Sequence, residues 1–218
     1  MSGLAYARLP VTLTLTALIL ALAGCASTQV FPSLQLQDIS LRPGDLEKFG
    51  LAFITPSTVT GQEQEKQAVA LTFSDVIKSE RPNLRVVTLA ETLGAINKAG
   101  LADDYKRMYD EYRDTGLLSG GILQRVGAAT GVRYLAQTKL QSFVQGAKER
   151  FGLLGFRIVE TQYAYVRLFF QIWDSRDGTI AWEAMQELHI SQERVSEEPV
   201  MQRAVLERTA RDLITKLP

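Results

Sequence analysis

The fold of this chain is decided by residues 161–191, TQYAYVRLFFQIWDSRDGTIAWEAMQELHIS. Apolar side chains recur at every second position on both sides of the central DSRDG, which is the pattern of half-buried β-strands. In the first of these two segments one face is aliphatic, comprising Ala164, Val166, Leu168, Phe170 and Ile172. The other face is aromatic and partly polar, comprising Tyr163, Tyr165, Arg167, Phe169, Gln171 and Trp173. The Asp and Gly content of Asp174 to Gly178 is typical of a tight turn, so the sequence predicts an antiparallel hairpin.

The segments upstream and downstream complete the predicted fold. VRYLAQTKLQSFV, residues 132–144, also alternates and extends the hairpin to a three-stranded meander. Residues 51–54 form a short apolar run that is typical of a strand buried on both faces. Five helices are predicted. The helical period of the apolar residues in 69–77 indicates the first, and the capping box TLAE at 88–91 starts the second. The segments ADDYKRMYDEYRDTG and SGGILQRVGAATGV form the third and fourth, and the fifth begins at about Pro199. The fold class is therefore α/β (α+β), with a single mixed, mostly antiparallel sheet flanked by helices.

The beginning of the chain contains the single cysteine. Residues 11–24, VTLTLTALILALAG, carry no charged side chain and end in small residues directly before Cys25. Such an apolar run is typical of a secretory signal and is short for a membrane-spanning helix. The residues Leu22 to Cys25 resemble the lipobox of bacterial lipoproteins, which implies cleavage between Gly24 and Cys25 and diacylation of the Cys25 thiol. Ala26 follows where an aspartate would imply inner-membrane retention, so the resemblance implies the outer membrane. An ordinary signal peptide with an incidental cysteine, or a plain membrane anchor, is the alternative.

Three regions are expected along the chain. Residues 1–24 are the predicted signal peptide, residues 25–45 a lipidated cysteine with a flexible tether, and residues 46–218 a single periplasmic α/β domain. A short extended piece is expected within the tether at Leu34–Ile39. Loss of Arg8 with the signal peptide reduces the 24 basic residues to 23, against 24 acidic residues. A nucleic-acid-binding protein would have a strong basic excess, so that class is disfavoured.

No set of residues in the sequence carries a recognisable chemistry. His189 is the only histidine, and acylation would remove the only thiol, so neither a catalytic triad nor a zinc cluster is expected. The phosphate-binding motif G-x-x-x-x-G-K-[ST] does not occur, and no G-x-G-x-x-G motif follows a strand. A pair of carboxylates for glycoside chemistry is not excluded by spacing alone. We therefore expect no catalytic residue, no metal and no cofactor, and the sequence identifies no small-molecule substrate.

Two groups of residues are candidates for contact with a membrane or a protein partner. The segment 145–160 carries Phe151, Leu153, Leu154 and Phe156 between Lys148, Arg150 and Arg157. An apolar tip with basic flanks suits a membrane surface or a partner protein, and the alternative is a strand extension folded back on the core. Tyr165, Arg167, Phe169 and Trp173 have the composition of an interface. The alternative for this second group is that the carboxy-terminal helix covers that face.

The order of elements and three phrases, FGLAFITPS, TGVRYLAQTKLQSF and VRLFFQIWDSRDGTIAWEA, resemble the lipoproteins whose domain is similar to the amino-terminal domain of TolB. That group includes the curli-secretion lipoprotein CsgG, the Pel-polysaccharide lipoprotein PelC and the penicillin-binding-protein activator LpoB. The phrase formed by Asp174, Gly178 and Trp182 is the most recognisable, and the resemblance covers residues 46–217. It implies a helix-flanked sheet and a non-enzymatic task in ring assembly, export or docking on a synthase. The chain has no clear pair of long amphipathic membrane hairpins such as the curli exporter needs, and its one candidate for such a hairpin is the segment 145–160.

Three hypotheses for the function follow from these observations. The first is a non-catalytic lipoprotein of the outer membrane that acts as a scaffold or interaction module in envelope assembly or export, alone or as a homo-oligomer. The second is an activator that docks on a peptidoglycan synthase. The third is a carboxylate-based periplasmic hydrolase.

Overall fold

The computed structural model describes residues 28–58, 63–153, 156–194 and 202–218, with the backbone alone at 63 and over 149–153, 156–160 and 193–194. The predicted signal peptide, Cys25 and Leu154 lie outside these residues. The seven described strands are β1 Thr28–Asp38, β2 Leu51–Phe53, β3 Ser57–Thr58, β4 Val86–Val87, β5 Tyr134–Leu153, β6 Phe156–Asp174 and β7 Thr179–Arg194. The six described helices are α1 Asp45–Phe49, α2 Glu63–Glu80, α3 Leu89–Lys98, α4 Ala102–Thr115, α5 Gly120–Thr130 and α6 Gln202–Ile214.

One mixed sheet joins all seven strands. The order is β1-β7-β6-β5-β2-β4, and the short β3 pairs with β5. The three late strands form the predicted antiparallel meander, and β1 is antiparallel to β7. β2 is parallel to both β4 and β5, because helices connect these strands in the chain. The structure thus confirms the predicted fold class, an α+β fold with a mostly antiparallel sheet.

The aliphatic face of the sheet packs under α2 and α6. Alternate β6 residues, from Ala164 to Ile172, are completely buried there. The rings of Phe73 on α2 and Phe170 on β6 lie 5.3 Å apart between centroids, and Phe170 is 5.8 Å from the ring of Trp182. Each such ring contributes about 1.5–3 kcal/mol by leaving water. This layer is the larger part of the core.

Helices α3, α4 and α5 cover the opposite face, but only near β2 and the first residues of β5. Their buried side chains, including Ile96, Met108 and Val126, pack with Leu135 and Trp173 of the sheet. The predicted capping box starts α3: the Thr88 backbone N–H donates to Glu91 Oε2 at 2.7 Å, and Thr88 Oγ1 accepts from the Glu91 N–H. The hydrogen bond from the Thr88 backbone lowers the pKa of Glu91.

The three residues of the recognisable phrase have structural tasks. Asp174 accepts hydrogen bonds from Nε and Nη2 of Arg133 across the meander. Gly178 has a φ of 75°, and a Cβ on it would lie 2.6 Å from the Cα of Gly120. Trp182 is completely buried against the aliphatic layer. The phrase therefore holds the turn, the sheet and α5 together.

The prediction of a flexible tether over residues 25–45 is wrong for most of that length. Thr28–Asp38 is a regular edge strand, paired with β7 from Thr28↔Gln192 to Asp38↔Trp182, and α1 begins at Asp45. The strand forms by backbone pairing with the free edge of β7, and Leu34 and Leu36 lie on the aliphatic side of the sheet although they stay largely exposed. A proline is tolerated at position 32 because β1 is an edge strand.

Two further findings concern the described residues as a whole. None of their helices is both long and apolar enough to cross a membrane. Nor do three or more of their His, Cys, Asp and Glu side chains come together in a geometry suited to a metal ion.

Candidate interaction surface

The aromatic face of β6 belongs to a larger surface that extends over four strands, which we call the open face. Beyond the position of Gln171, no described helix packs on this side of β5, β6, β7 and β1. The pairing registers place matching side chains of the four strands in rows across it. Its members are Lys139, Ser142, Val144 and Gly146 of β5, Tyr163, Tyr165, Arg167 and Phe169 of β6, Met185, Glu187 and His189 of β7, and Phe31 and Ser33 of β1.

Polar and apolar rows alternate along the open face. Gln171 Nε2 donates to Glu183 Oε2 at 3.0 Å at the edge of the helix layer. In the next row Phe169 is paired with Met185, and in the row after it Arg167 Nε lies 2.8 Å from Glu187 Oε1. The two side chains of that ion pair keep 39% and 32% of their surface exposed. Water therefore screens the pair, and its charges remain available to a partner.

Towards the β5–β6 hairpin the face becomes aromatic. The phenol of Tyr163 lies across Gly146, where a Cβ would come within 2.5 Å of the Tyr163 hydroxyl. Lys148 Nζ stands 5.9 Å from the centroid of the same ring, within reach of a cation–π interaction. Glycine at position 146 is thus what allows the ring to lie close against the neighbouring strand.

Phe31 and His189 extend the aromatic region to the edge strand. Their ring centroids lie 6.3 Å apart, and 59% of the Phe31 surface is exposed. Sequence reasoning missed Phe31 because its segment was expected to be a tether. The alternation of Glu183, Met185, Glu187 and His189 could have indicated that β7 contributes to the same face.

Two expectations for this face are wrong. Trp173 is not available to a partner, since only 3% of its surface is exposed and it packs beneath α3, α4 and α5. The carboxy-terminal helix does not cover the aromatic face, because α6 packs on the aliphatic side, where Gln186 Nε2 donates to Asp212 Oδ2 at 3.1 Å. Tyr165, Arg167 and Phe169 are left half-buried by their neighbours in the sheet alone.

The other candidate group lies at the far end of the same strands. The segment 145–160 is not a loop, because β5 and β6 remain paired as far as Leu153↔Phe156. The register places Phe151 opposite Val159 and Gly152 opposite Arg157. The backbone therefore continues both strands through this segment.

Tyr105 and Tyr109, which are neighbours on one side of α4, stabilise the fold. The Thr55 N–H donates to Tyr105 Oη at 2.9 Å, and Tyr109 Oη donates to the Thr55 carbonyl at 2.7 Å. Burial raises the pKa of both phenols, so they stay protonated and hold the chain that follows β2.

A cleft of about 460 Å³ opens at the end of the sheet remote from the hairpin. Its lining is basic, with Lys48, Arg85, Arg133 and Arg176. Arg85 Nη1 donates to the Gly131 carbonyl at 2.9 Å, and Arg133 is held by Asp174. The one carboxylate among the described lining residues is Glu47, which is paired with Arg81 at 2.7 Å.

Comparison with known proteins gives distant structural likenesses. No protein family and no curated protein matches the sequence. The chain is similar to the PelC dodecamer of Paraburkholderia phytofirmans, with 10% identity and a TM-score of 0.45 over 86% of this chain and 94% of that one. Lipoprotein GNA1162 of Neisseria meningitidis gives 11% identity and a TM-score of 0.42 over 77% of this chain and 96% of the other. A PDZ domain protein of Parabacteroides distasonis gives 12% identity and a TM-score of 0.35, over 93% of this chain and 39% of that one. Since all three TM-scores are below 0.5, these likenesses assign no function to this chain.

Proposed function

We propose that this protein is a lipid-anchored lipoprotein of the outer membrane that faces the periplasm and works as a non-catalytic interaction module in envelope assembly or export. The observation that carries the proposal is the open face, which presents aromatic and charged side chains on a rigid sheet. A domain with a covered core has no internal need for such a surface, and large exposed apolar patches on soluble domains mark interaction sites.

The chemistry of the open face favours a protein partner. Tyrosine, phenylalanine, methionine and arginine are enriched at protein interfaces, and the face holds all four types. Its charges are of both signs, with Lys139 and Arg167 beside Glu187, unlike the uniformly basic surface that is typical of a nucleic-acid-binding protein. The aliphatic layer on the reverse side fixes the strands, so a partner would not have to order them on binding.

Cys25 provides the proposed anchor. Two or more acyl chains give stable attachment to a bilayer, whereas a single chain gives only marginal binding. Mass spectrometry of the amino-terminal peptide should show a diacylglyceryl group on Cys25 and no residues before it. Cys25→Ala should leave the signal peptide uncleaved and the lipid absent.

The hydrolase hypothesis has less support. It requires two carboxylates that converge in one pocket. The cleft at the remote end of the sheet has a basic lining, and its Glu47 is already committed to Arg81. Docking on a synthase is one version of the interaction hypothesis, because the residue types of the open face suit a synthase as well as other protein partners.

The test is site-specific photo-crosslinking in intact cells. A photoreactive amino acid at Phe169, in the middle of the open face, should give a discrete covalent protein adduct. The matched control is the same amino acid at Lys106, on the exposed side of α4, where 77% of the side chain is exposed. An adduct of twice the chain mass identifies a homo-oligomer, and another mass identifies a different partner. Equal adduct yields at the two positions would refute the open face as the binding surface.

A further inference from the structure

The first residue of β1 fixes where the lipid anchor meets the domain. Thr28 starts the strand only three residues after Cys25. Because β1 is antiparallel to β7 and β7 is antiparallel to β6, β1 and β6 run in the same direction. Thr28 pairs with Gln192, which pairs with Gln162, so the chain enters the sheet level with Gln162. The chain upstream of Thr28 therefore leaves the sheet at the end where the β5–β6 hairpin lies.

The hairpin extends well past that entry level. β6 begins at Phe156, six residues before Gln162, which corresponds to about 20 Å of strand. β7 makes its last pair at Arg194↔Glu160, so over the final rows no other described strand accompanies the hairpin. We call the backbone from Phe151 to Leu153 and from Phe156 to Val159 the hairpin end.

The short connection to the anchor limits how the domain can be placed. Three residues span at most about 10 Å, so Cys25 lies within that distance of Thr28 whatever their conformation. If the sheet stands upright on the bilayer, the hairpin end reaches about 10 Å further than the furthest position available to Cys25. If the sheet lies flat, the hairpin end rests on the surface. Tilting the strand axis about Thr28 to lift the hairpin end away turns the remaining β1, about 33 Å from Thr28 to Asp38, towards the bilayer.

We propose that the hairpin end is a second membrane contact, which inserts into the headgroup region of the same bilayer that holds Cys25. This inference rests on the proposed lipid anchor. The residue types fit a lipid surface, since Phe151, Leu153 and Phe156 are apolar and Lys148 and Arg157 are basic. The outer edges of the two strands have no described pairing partner here, and open edges do not enter hydrocarbon, so the contact is interfacial and does not span.

The consequence is a restricted orientation. One lipidated residue alone lets a domain rotate freely about its anchor, whereas a second contact on a different strand leaves only rotation about the line that joins the two contacts. The basic cleft, at the opposite end of the strands, lies at the end of the sheet remote from both contacts.

The experiment measures the depth of the hairpin end in the lipidated protein. Phe156→Cys is labelled with a polarity-sensitive fluorophore, since the acylated Cys25 does not react, and the protein is reconstituted in vesicles of phosphatidylethanolamine and phosphatidylglycerol. The matched control is Asp177→Cys in the turn at the opposite end of β6. The label at position 156 should shift to the blue, be quenched by nitroxide lipids and be shielded from iodide. The label at position 177 should be quenched by iodide alone.

A second pair of variants separates membrane contact from misfolding. Leu153→Asp, introduced beside the label, should abolish the quenching by nitroxide lipids. Leu117→Asp, which changes a leucine 65% exposed in the loop before α5, should leave that quenching intact. Tryptophan fluorescence checks that both variants remain folded.

Each outcome decides the inference. A label at position 156 that nitroxide lipids do not quench, in protein whose Cys25 carries lipid by mass spectrometry, overturns the second contact and leaves the anchor standing. The same holds if Leu153→Asp leaves the quenching by nitroxide lipids unchanged, or if iodide quenches the label at position 156 as strongly as the label at position 177. Absence of lipid on Cys25 overturns the anchor and this inference together.

Discussion

Replacement of Asp174 by asparagine removes one charge from the ion pair that joins β6 to β5. The Asp174 side chain is 6% exposed and that of Arg133 is 20% exposed, so the pair lies mostly out of water. The asparagine side chain would keep the volume and one acceptor but leave the guanidinium without its counter-charge. Breaking a buried pair costs about 3–5 kcal/mol, and the partial exposure of Arg133 points to the lower value, about 3 kcal/mol.

The assay is urea unfolding followed by the fluorescence of the buried Trp173 and Trp182. With a slope of about 2 kcal/mol per molar urea, a loss of about 3 kcal/mol lowers the midpoint by about 1.5 M. Asp110→Asn is the matched control, because Asp110 makes an ion pair with Lys106 in solvent at 2.7 Å. The control should leave the midpoint nearly unchanged. Equal midpoints for Asp174→Asn and the native protein would refute this assignment of the pair.

The loss of stability caused by Asp174→Asn should depend on pH. Burial raises the pKa of the Asp174 carboxyl, but the hydrogen bonds from Arg133 and the Arg176 N–H together outweigh it, and the pKa lies below its ordinary value. A carboxyl with a lowered pKa stabilises the folded state fully above the unfolded value of about 3.9 and loses that contribution as pH falls through the folded value. The difference in the free energy of unfolding between the native protein and Asp174→Asn should therefore be constant above about pH 5 and shrink below about pH 4. If that difference in unfolding free energy stayed unchanged in acid, the ion pair between Arg133 and Asp174 would not be its origin.

Three further predictions follow from the packing and the open face. Trp182→Ala should cost about 3–5 kcal/mol in urea unfolding, because it empties a completely buried site. Gly178→Ala should destabilise by about 1–3 kcal/mol, since φ is +75° and the new Cβ would lie 2.6 Å from the Cα of Gly120. Its control, Gly94→Ala, should stabilise by about 0.5–1 kcal/mol in the same assay, because nothing lies within 4 Å of that helical position. Arg167→Ala should change stability by less than about 1 kcal/mol but reduce adduct yield in the cross-linking experiment, and an unchanged yield would remove the ion pair from the binding surface.

The sequence predicts the meander and its buried face because a period of two leaves few alternatives. From Ala164 to Ile172 the aliphatic alternation is unbroken, and a one-residue register slip would expose all of it. The helix boundaries follow from local chemistry, such as the capping box at Thr88 and the glycine that ends α5, which has a φ of 70° at Gly131. Signals of this kind act within a few residues and need no knowledge of the tertiary structure.

The edge strand β1 was not predictable at the same level. Its alternation is interrupted by Pro32, and all of its side chains stay exposed, so its burial signal is weak. What stabilises it is the free edge of β7, a partner about 150 residues away in the chain. Pairing with a distant edge is a tertiary effect, and local pattern cannot register it.

Element lengths explain why Trp173 is buried while Phe169 on the same face is not. β6 has 19 residues and is about 60 Å long, whereas α4, the longest helix on its aromatic side, has 14 residues and is about 21 Å long. Alternation tells which face a residue occupies, but only the lengths of the packed helices tell how far that face is covered. Strands of this length necessarily extend beyond the helix layer. The surplus must stay in water, bind a partner or meet a lipid surface, and the open face and the hairpin end are the two parts of that surplus.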